Sequence, residues 1–596
     1  IQVLTNDDIR RSGAVSLPEA LRLAGNLQVA KKGSQTWGIS ARGFNTELAN
    51  KLLVLIDGRA VYTPLYSGVF WDRQDYLLAD LDRIEVISGP GGTLWGANAV
   101  NGVINVISKS AKETQGGHVE LGGGSELRGF AAVRQGGMIS PKVHYRIYGK
   151  YADRDGSKYA DGRNAEDDSR MVQGGFRIDA EASAHSTFTL QGDLYRNEAQ
   201  LVTGGDAITN GGNLLGRWAR TLSADSDLRL QVYYDRTHLT NWAPALMIDT
   251  LVLAPAGEFQ DTLETYDVDF QHRFRAGEHH GMVWGATYRF THDTVGNAPP
   301  LGFLPATLDQ HLFSAFVQDE IRLNPRLYLT VGSKLEHNDY TQFEFEPNVR
   351  LRWTPAPGQT IWSAISRAVR TPSRIDRDVR LGMPPYFPLL AGGADFDSET
   401  VTAYELGHRA QLGSRLITSL SLFYNEYDHV RSTAINPATI FPLFFKNDLE
   451  GKTHGAELSA DYQATDRWRL HLRYNVLRER LRVRPGGTDF NNTLNETADP
   501  AHQFSLRSSL DLPAGLEFDA MLRWVDELPT NDAGNLVYLP DYTELDVRLG
   551  WRNARGLEIS LVGQNLLHRR HREYHVSSSD QLAIERNVHG KVVWRF

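Results

Sequence analysis

From about residue 116 to the last residue, apolar and polar side chains alternate along short segments of the chain. Between residues 144 and 151, two tyrosines and an isoleucine take positions of one parity, and a histidine, an arginine and a lysine take the other. The alternation recurs over residues 187–195, 228–234, 266–274, 420–424, 470–476 and 545–551. Because successive side chains of a strand point to opposite faces, this pattern predicts strands with one apolar and one polar face. Such strands can close into a transmembrane β-barrel with lipid outside and water inside.

Two features favour a membrane protein over the alternative, a stack of soluble sandwiches whose apolar faces pack inward. Tyrosines recur near the ends of the alternating segments, and aromatic rings are typical of the membrane interface. The chain also ends on an alternating run that stops at Phe596, which resembles the C-terminal signal of outer-membrane barrels. A further alternative is an exported soluble β enzyme, which detergent-free solubility would support and heat-modifiable gel mobility would exclude.

The composition narrows the classes of function. At 596 residues the chain exceeds one ordinary soluble core, so several domains or one very large barrel are expected. It has no cysteine, which removes disulfides, thiolate metal sites and cysteine nucleophiles together. Its net charge of −9 argues against a general nucleic-acid-binding protein. The longest obvious apolar run, Leu52 to Ile56, is far shorter than the roughly 18 residues that a membrane-spanning helix needs.

The N-terminal part, residues 1–112, has a different pattern. Its segment 80–109 begins with a β-branched run around Glu85 that predicts a strand. A glycine- and proline-rich stretch predicts a tight turn, and Leu94 and Trp95 fit a short helical turn. A second strand is predicted from Val103 to Ser108. This mixed unit carries no catalytic constellation.

The segment closely resembles the signature of the plug domain in TonB-dependent outer-membrane receptors. Two further plug motifs, Ala41–Phe44 and Leu53–Arg59, precede it in the expected order. The residues that match the family motifs are Arg42, Gly43, Asp57, Gly58, Glu85, Gly89, Pro90, Gly96, Gly102 and Asn105. One departure is Asn101, where the family commonly has a second glycine. We expect asparagine to tolerate the left-handed backbone that glycine would allow there.

The resemblance implies an all-β transmembrane barrel of about 22 antiparallel strands, residues 113–596, with a small mixed α/β plug domain, residues 1–112, inside its lumen. It also implies a monomeric active transporter in the outer membrane of a Gram-negative bacterium, surrounded by outer-membrane lipid. Substrate would bind between the outer loops and the plug apex. The TonB complex of the inner membrane would pull on the plug through an N-terminal box that it grips as an added strand. We find no such box and expect it to precede Ile1.

Polar spans rich in glycine or proline interrupt the alternation and predict long outer loops. They cover residues 153–170, 197–216, 241–261, 293–310, 376–399 and 478–500. Strands of roughly ten residues leave room for short turns that alternate with these loops. No internal sequence repeat is visible.

Aromatic residues on predicted plug loops are candidates for substrate contact, because rings offer a large contact area at low entropic cost. They are Trp37, Tyr62, Tyr66 and Trp71. The favoured alternative for any one of them is packing inside the plug or against the barrel wall. Three arginines, Arg367, Arg370 and Arg374, enter a long predicted loop and could attract an anionic chelate. For these arginines, structural pairing with barrel carboxylates is the favoured alternative.

The sequence predicts no metal site, no cofactor and no enzyme. No Ser-His-Asp or carboxylate-pair spacing stands out from the polar strand faces. His568, His571 and His575 form a basic cluster with neighbouring arginines in the last predicted loop. A solvated loop is the favoured interpretation of this cluster, and binding of an anionic ligand is the alternative.

A ferric siderophore is the expected cargo, because iron chelates too large for porins are the commonest substrates of the family that the chain resembles. Cobalamin, haem, a plant-derived aromatic compound and a glycan remain alternatives. Haem is disfavoured because the segment from Ser366 to Pro372 matches the haem-receptor pattern poorly. A passive porin is a further alternative, but an open pore has no need of a plug.

Overall fold

The computed structural model describes residues 1–47, 49–494, 497–532, 535–574 and 581–596. Within them, the N-terminal part folds around a five-stranded sheet and the remainder forms a closed barrel. We call the N-terminal part the plug, since its residues bond to barrel strands on several sides of the lumen. The expected fold class, a transmembrane-type barrel with a mixed α/β domain inside it, is confirmed.

The plug sheet is mixed. Its strands lie in the order Gln2–Thr5, Leu81–Ser88, Gly102–Ser108, Leu52–Ile56 and Arg59–Ala60. Gly102–Ser108 runs antiparallel to Leu81–Ser88 and parallel to Leu52–Ile56. The fully buried apolar strand Leu52–Ile56 therefore lies inside the sheet, as its continuous apolar run requires. A separate ribbon pairs Gln28–Lys31 with Trp37–Ser40.

The helices are short. In the plug they are Asn6–Ser12, Leu17–Leu21 and Gly92–Trp95, with 3-10 turns at Trp71–Arg73, Leu78–Asp80 and Ala111–Thr114; the barrel connections add Arg374–Arg377 and the 3-10 turn Pro513–Gly515. The first helix starts with a capping box between Thr5 and Asp8 and ends at Gly13, whose φ of 76° suits glycine. None of the helices in the described ranges is both long and apolar enough to cross a membrane.

In the described part of the chain, 22 antiparallel strands build the barrel, and the last strand pairs with the first. They are Gly116–Gly124, Leu127–Ser140, Val143–Arg154, Ser169–Ser183, Ser186–Gln200, Asp206–Ser223, Ser226–Ala243, Gly257–Ala276, His280–Gly296, Thr307–Asn324, Leu327–Asn338, Gln342–Trp353, Gln359–Arg370, Glu399–Leu412, Leu416–Asn436, Ile440–Thr465, Trp468–Val483, His502–Asp511, Leu516–Val525, Tyr542–Arg552, Leu557–Gln564 and Asn587–Arg595. Shorter strands in the connections are Lys158–Tyr159, Leu246–Ile248, Leu251–Ala254, Leu301–Phe303, Val379–Leu381, Leu390–Ala391, Leu528–Asp532, Asn535–Leu539, Arg570–His571 and Leu582–Glu585. A closed barrel has no free sheet edges. Strands that cross lipid need this closure, because an open edge would leave backbone groups without hydrogen bonds.

The two faces of the barrel wall differ as a membrane barrel demands. In the strand Gln342–Trp353, Phe343 and Phe345 are 68% and 53% exposed, whereas Glu344 and Glu346 are 7% and 0% exposed. The apolar residues therefore face outward and the polar residues face the plug. A soluble sandwich would show the reverse arrangement, so the choice of a membrane barrel over sandwiches is confirmed.

The connections differ between the two ends of the barrel. At one end they are two to five residues long, and at the other end residues 371–398 form a connection of 28 residues. Long loops mark the outer side of such barrels and short turns the periplasmic side. The plug apex lies at the outer end: the amide of Ser34 donates to Asp167 at 2.9 Å, and the carbonyl of Leu65 accepts from Ile375 at 2.9 Å.

One predicted loop, residues 197–216, is wrong. The strands Ser186–Gln200 and Asp206–Ser223 occupy most of it and leave only residues 201–205 as a loop. The glycines in this span had indicated a loop. In the structure they lie within a strand, where the missing side chain leaves room for side chains of the neighbouring strand. A Cβ at Gly211 would lie 2.3 Å from the Tyr195 hydroxyl, and one at Gly212 would lie 2.4 Å from Leu194. The other five predicted spans contain long connections, and the last predicted loop, which carries His568 and His571, is the connection 565–586. The connection at 526–541 was missed.

Candidate functional site

The first family motif ties the plug to the barrel wall. The guanidinium of Arg42 donates to Glu405 and Glu457, each at 2.8 Å, and the side chains of Arg42 and Glu405 are almost fully buried. Gly43 follows with φ of 106°, and a Cβ there would lie 3.3 Å from a carboxylate oxygen of Glu479. These two residues therefore hold the plug against the barrel rather than a ligand.

Other motif positions require glycine because neighbouring atoms lie too close to the backbone to leave room for a side chain. A Cβ at Gly89 would lie 2.4 Å from the Glu405 carboxylate and 2.8 Å from the Arg42 guanidinium, so the Arg42 ion pair needs glycine beside it. A Cβ at Gly102 would lie 2.7 Å from the carbonyl oxygen of Ile87. Two further motif residues are buried in the turn region between the strands: Pro90 and Gly96.

The second motif forms a hairpin turn that is fastened to the barrel. Asp57 and Gly58 have φ of 52° and 83°. The Asp57 carboxylate accepts hydrogen bonds from the Ser108 amide and from Gln191 of the barrel wall, both at 2.8 Å. Burial alone would raise the pKa of Asp57, but the charge of Arg177 and these hydrogen bonds outweigh it and lower the pKa. The carboxylate thus stays charged as a structural anchor.

Hydrogen bonds also account for the remaining polar motif positions. Glu85 accepts from Asn105 at 3.0 Å across neighbouring strands. The expected role of Asn101 was wrong, because the left-handed residue in this turn is Asn98, with φ of 74°. Asn101 is 1% exposed, and its side-chain oxygen accepts from the hydroxyl of Tyr427 on the barrel at 2.7 Å. Asparagine replaces the usual glycine here because it bonds to the wall.

A cavity of about 370 Å³ opens between the plug apex and the outer loops. Asn45 and Thr46 form its floor on the plug, and residues of five outer segments form its sides. The lining is mixed: it includes the guanidinium of Arg431, the carboxylate of Asp489 and the aromatic rings of Phe445 and Tyr574. Concave sites of this kind, apolar with a few charged groups, are the usual places for a small ligand.

Arg431 is the exposed end of a network of charged side chains. Its guanidinium lies 3.5 Å from Asp376, which also pairs with Arg370 at 2.7 Å. Arg370 bonds to Glu399 at 3.0 Å, and Glu399 pairs with Lys51 of the plug at 2.6 Å. Three cations, Lys51, Arg370 and Arg431, thus alternate with two carboxylates, Asp376 and Glu399, along the network. Four of the side chains are almost fully buried, while Arg431 is 19% exposed at the cavity.

The predicted aromatic contacts lie elsewhere. Trp37 and Trp71 are 5% and 6% exposed and pack in the hydrophobic core of the plug. Tyr66 packs edge-on against Phe303 of an outer loop, with 5.7 Å between ring centroids. Tyr62 borders a smaller cavity of about 100 Å³, and burial raises its pKa to about 12, so its hydroxyl remains protonated. None of the four lines the cavity beside Arg431 within the described residues.

The predicted arginines are mostly paired. Arg370 belongs to the network behind the cavity, and Arg374 is fully buried against Asp293 at 2.8 Å and Asp378 at 3.1 Å. This placement favours the structural-pairing alternative for both. Arg367 shares the outward strand face of Ile365, which is 54% exposed, and donates to a backbone carbonyl there. Its guanidinium also lies 4.0 Å from the carboxylate of Glu344, so this arginine too is close to a barrel carboxylate.

The histidine cluster is more ordered than a solvated loop. His568 contacts Glu544 at 2.8 Å, and His571, which is 5% exposed, contacts Glu573 at 2.9 Å. His575 lies outside the described residues. Among the residues with described positions, no group of three or more histidines and carboxylates is arranged to hold a metal ion.

Comparison with known proteins decides the family. Residues 1–103 match the TonB-dependent receptor plug domain, and residues 141–566 match the TonB-dependent receptor-like β-barrel. The chain belongs to the TonB-dependent receptor family. This receptor is 23% identical over 579 residues to the iron-regulated outer membrane virulence protein of Vibrio cholerae, covering 90% of this chain and 81% of that protein.

Two other similarities are informative. The receptor is 34% identical to the vitamin B12 transporter BtuB of Vibrio vulnificus over 128 residues, which cover 21% of this chain and 20% of that one. Its structure superposes on the siderophore receptor PirA from Acinetobacter baumannii with a TM-score of 0.82, covering 100% of this chain and 98% of that chain. The sequence identity in that superposition is 14%, so it shows the fold alone. The family is one of receptors and transporters rather than enzymes.

Proposed function

We propose that this TonB-dependent receptor takes up an anionic iron chelate, a ferric siderophore, across the outer membrane of a Gram-negative bacterium. The observation that supports this cargo is the cavity at the plug apex, where the guanidinium of Arg431 lies at the exposed end of a network of buried ion pairs. A guanidinium offers planar, paired donors to catecholate or carboxylate oxygens. The rings of Phe445 and Tyr574 can pack against an aromatic or apolar chelate arm.

The relatives support an iron cargo. The relative from Vibrio cholerae, which matches 90% of this chain, is described as an iron-regulated outer membrane virulence protein. Energy would come from the TonB complex, which grips a segment near the N-terminus of the plug in this family. A cobalamin is the second candidate. The vitamin B12 transporter of Vibrio vulnificus is 34% identical to this chain over a short match, compared with 23% for the longer match to the iron-regulated protein.

Calorimetric titration of the purified receptor in detergent tests the cargo. The panel contains ferric catecholate, hydroxamate and carboxylate siderophores, their iron-free forms and cyanocobalamin. We expect one ferric chelate to bind below about 1 μM, which corresponds to about −8 kcal/mol, with the iron-free form weaker. Binding of cyanocobalamin with a silent ferric panel would overturn the iron proposal and leave the receptor family unaffected.

Arg431→Gln should weaken binding of that chelate about 10- to 100-fold, because a hydrogen bond to a charged group contributes about 1.5–3 kcal/mol. The matched control is Arg196→Gln, since Arg196 is an exposed outer arginine that pairs with Glu198 far from the cavity. The same titration measures both variants. Equal affinities for the two variants would place the anion elsewhere.

A further inference from the structure

The outward face of the strand Trp468–Val483 changes character near its outer end. Glu479 faces the plug beside Gly43, and Leu481 and Val483 pack against the interior apolar cluster. The alternate residues therefore point out of the barrel, and they are three exposed arginines: Arg478, Arg480 and Arg482.

The strand register gives these arginines their neighbours. His454, Lys452 and Glu450 lie directly opposite Arg478, Arg480 and Arg482 on the adjacent strand, and Glu426 lies opposite Lys452 on the next. The charged groups that share this patch are Lys452, Arg478, Arg480, Arg482 and Arg484 on one side and Glu426, Asp428 and Glu450 on the other. Five cations against three carboxylates leave an excess of two positive charges.

The carboxylates are shared unevenly. Glu450 pairs with Arg482 at 2.7 Å, and Glu426 pairs with Lys452 at 3.0 Å. Arg478 donates only to a ring nitrogen of His502, at 2.9 Å, and to the carbonyl of its preceding residue. Arg480 has no ion-pair partner among the residues with described positions. Within the described ranges of the chain, these two neighbouring exposed guanidiniums therefore have no carboxylate partner.

The patch lies at the level of the lipid headgroups. Trp468 begins the strand at the end of the barrel with the short turns, and Arg478 lies ten residues further on. Because the strands are tilted, ten residues rise roughly 25 Å along the barrel axis, which equals the height of the apolar band of such barrels. Tyr474 lies below Arg478 on the same strand face. Its ring stacks on His502 with 6.0 Å between ring centroids. His502 in turn stacks on Trp524 at 6.5 Å. An aromatic belt therefore ends where the arginines begin.

We propose that Arg478 and Arg480, supported by Lys452, bind the phosphate group of a lipid in the outer leaflet. Side chains two residues apart on a strand face are about 7 Å apart, a spacing that lets two guanidiniums approach one phosphate from two sides. The acyl chains then lie along the apolar wall below, which a soluble phosphate cannot use. The aromatic rings of Tyr474 and Trp524 border the headgroup. This inference does not depend on the cargo.

The test uses the full receptor in dodecylmaltoside micelles and the double variant Arg478→Gln/Arg480→Gln. Native mass spectrometry measures retention of a phosphorylated lipid A, of the same lipid after phosphatase treatment, and of inorganic phosphate. We expect the wild-type receptor to retain the phosphorylated lipid at least 10-fold better than the dephosphorylated lipid, and the double variant to lose this preference. Arg196→Gln is the control, because its carboxylate partner leaves no unpaired guanidinium.

Equal retention of phosphorylated lipid by wild type and double variant would overturn the proposal. Retention of inorganic phosphate as strong as that of the lipid would show a general anion site and would also overturn it. Heat-modifiable gel mobility confirms that the double variant is folded, since both arginines project from the outside of the barrel and support no buried contact.

Discussion

A disulfide between residue 92 of the plug and residue 346 of the barrel wall should abolish transport while leaving ligand binding intact. A Cβ at Gly92 would lie 3.2 Å from the Cβ of Glu346, close to the 3.5–4.5 Å of native disulfides. The same Cβ would lie 2.3 Å from a carboxylate oxygen of Glu346, so Glu346→Cys also removes the atoms that Gly92→Cys would strike. The chain has no other cysteine, so the engineered pair can form only one bridge.

The reason for the large effect is that the plug fills the lumen. Glu346 is fully buried against the plug, and the hydroxyl of Thr93 donates to its backbone carbonyl at 2.9 Å. Any path for a chelate past these contacts requires the plug to move relative to the wall. A covalent link prevents that movement, whereas the cavity beside Arg431 lies at the outer end and is not disturbed.

Uptake of radioactive iron chelate by cells measures the effect. We expect the oxidised double-cysteine variant to transport less than about 5% of wild type, and transport to return when the bridge is reduced, since disulfide closure is reversible by thiols. The single variants Gly92→Cys and Glu346→Cys are the controls for the substitutions themselves. Wild-type uptake with a verified bridge would mean that substrate passes without movement of this part of the plug.

The sequence predicts the barrel well because its determinant is local. The two-residue period that exposes Phe343 and Phe345 and buries Glu344 and Glu346 can be read without knowledge of any partner strand. The plug motifs were recognisable for a similar reason. Each is a short run of residue types that can be recognised in the sequence, although its contacts lie far along the chain, as in the bond from Ser108 to Asp57.

The site could not be predicted because it depends on distant contacts. Arg431 follows a region where the strand register shifts between Tyr427 and Val430 and where His429 has φ of 60°, so alternation no longer indicates the face of a residue there. The arginine string was visible, but Arg370 pairs both with Asp376 and with Glu399, which lies on the neighbouring strand 29 residues further along the chain. Pairing of this kind has no local signal.

Reversing the charge of Arg10 and Arg11 should loosen the plug and make the receptor leak. Both residues lie in the last turn of the helix Asn6–Ser12, at the periplasmic end of the lumen. Arg10 bonds to Glu517 at 2.8 Å and to Glu558 at 3.0 Å, and Arg11 bonds to Asp519 at 2.9 Å. The two arginines are 13% and 3% exposed, so water screens these pairs little.

The carboxylates of the wall depend on these two arginines. Arg548 also contacts Glu517, Asp519 and Glu558, each at 3.0 Å. Arg552 and Arg595 of the wall also reach Glu517 and Glu558, each at 3.3 Å, so Arg10→Glu and Arg11→Glu would remove part of the positive charge around these carboxylates and add two negative charges beside them. Breaking one partner of a buried ion pair costs about 3–5 kcal/mol, so Arg10→Glu/Arg11→Glu should displace this helix from the wall.

Conductance of the purified receptor in planar lipid bilayers measures the leak. We expect the double variant to open channels that the wild-type receptor lacks, because a displaced plug leaves part of the polar lumen open. Arg83→Glu is the matched control: Arg83 is 40% exposed and pairs with Asp82 and Glu85 of the plug itself, with no barrel carboxylate. If the double variant, with its barrel intact by gel mobility, conducts no more than Arg83→Glu, the charges of the first helix do not hold the plug in place.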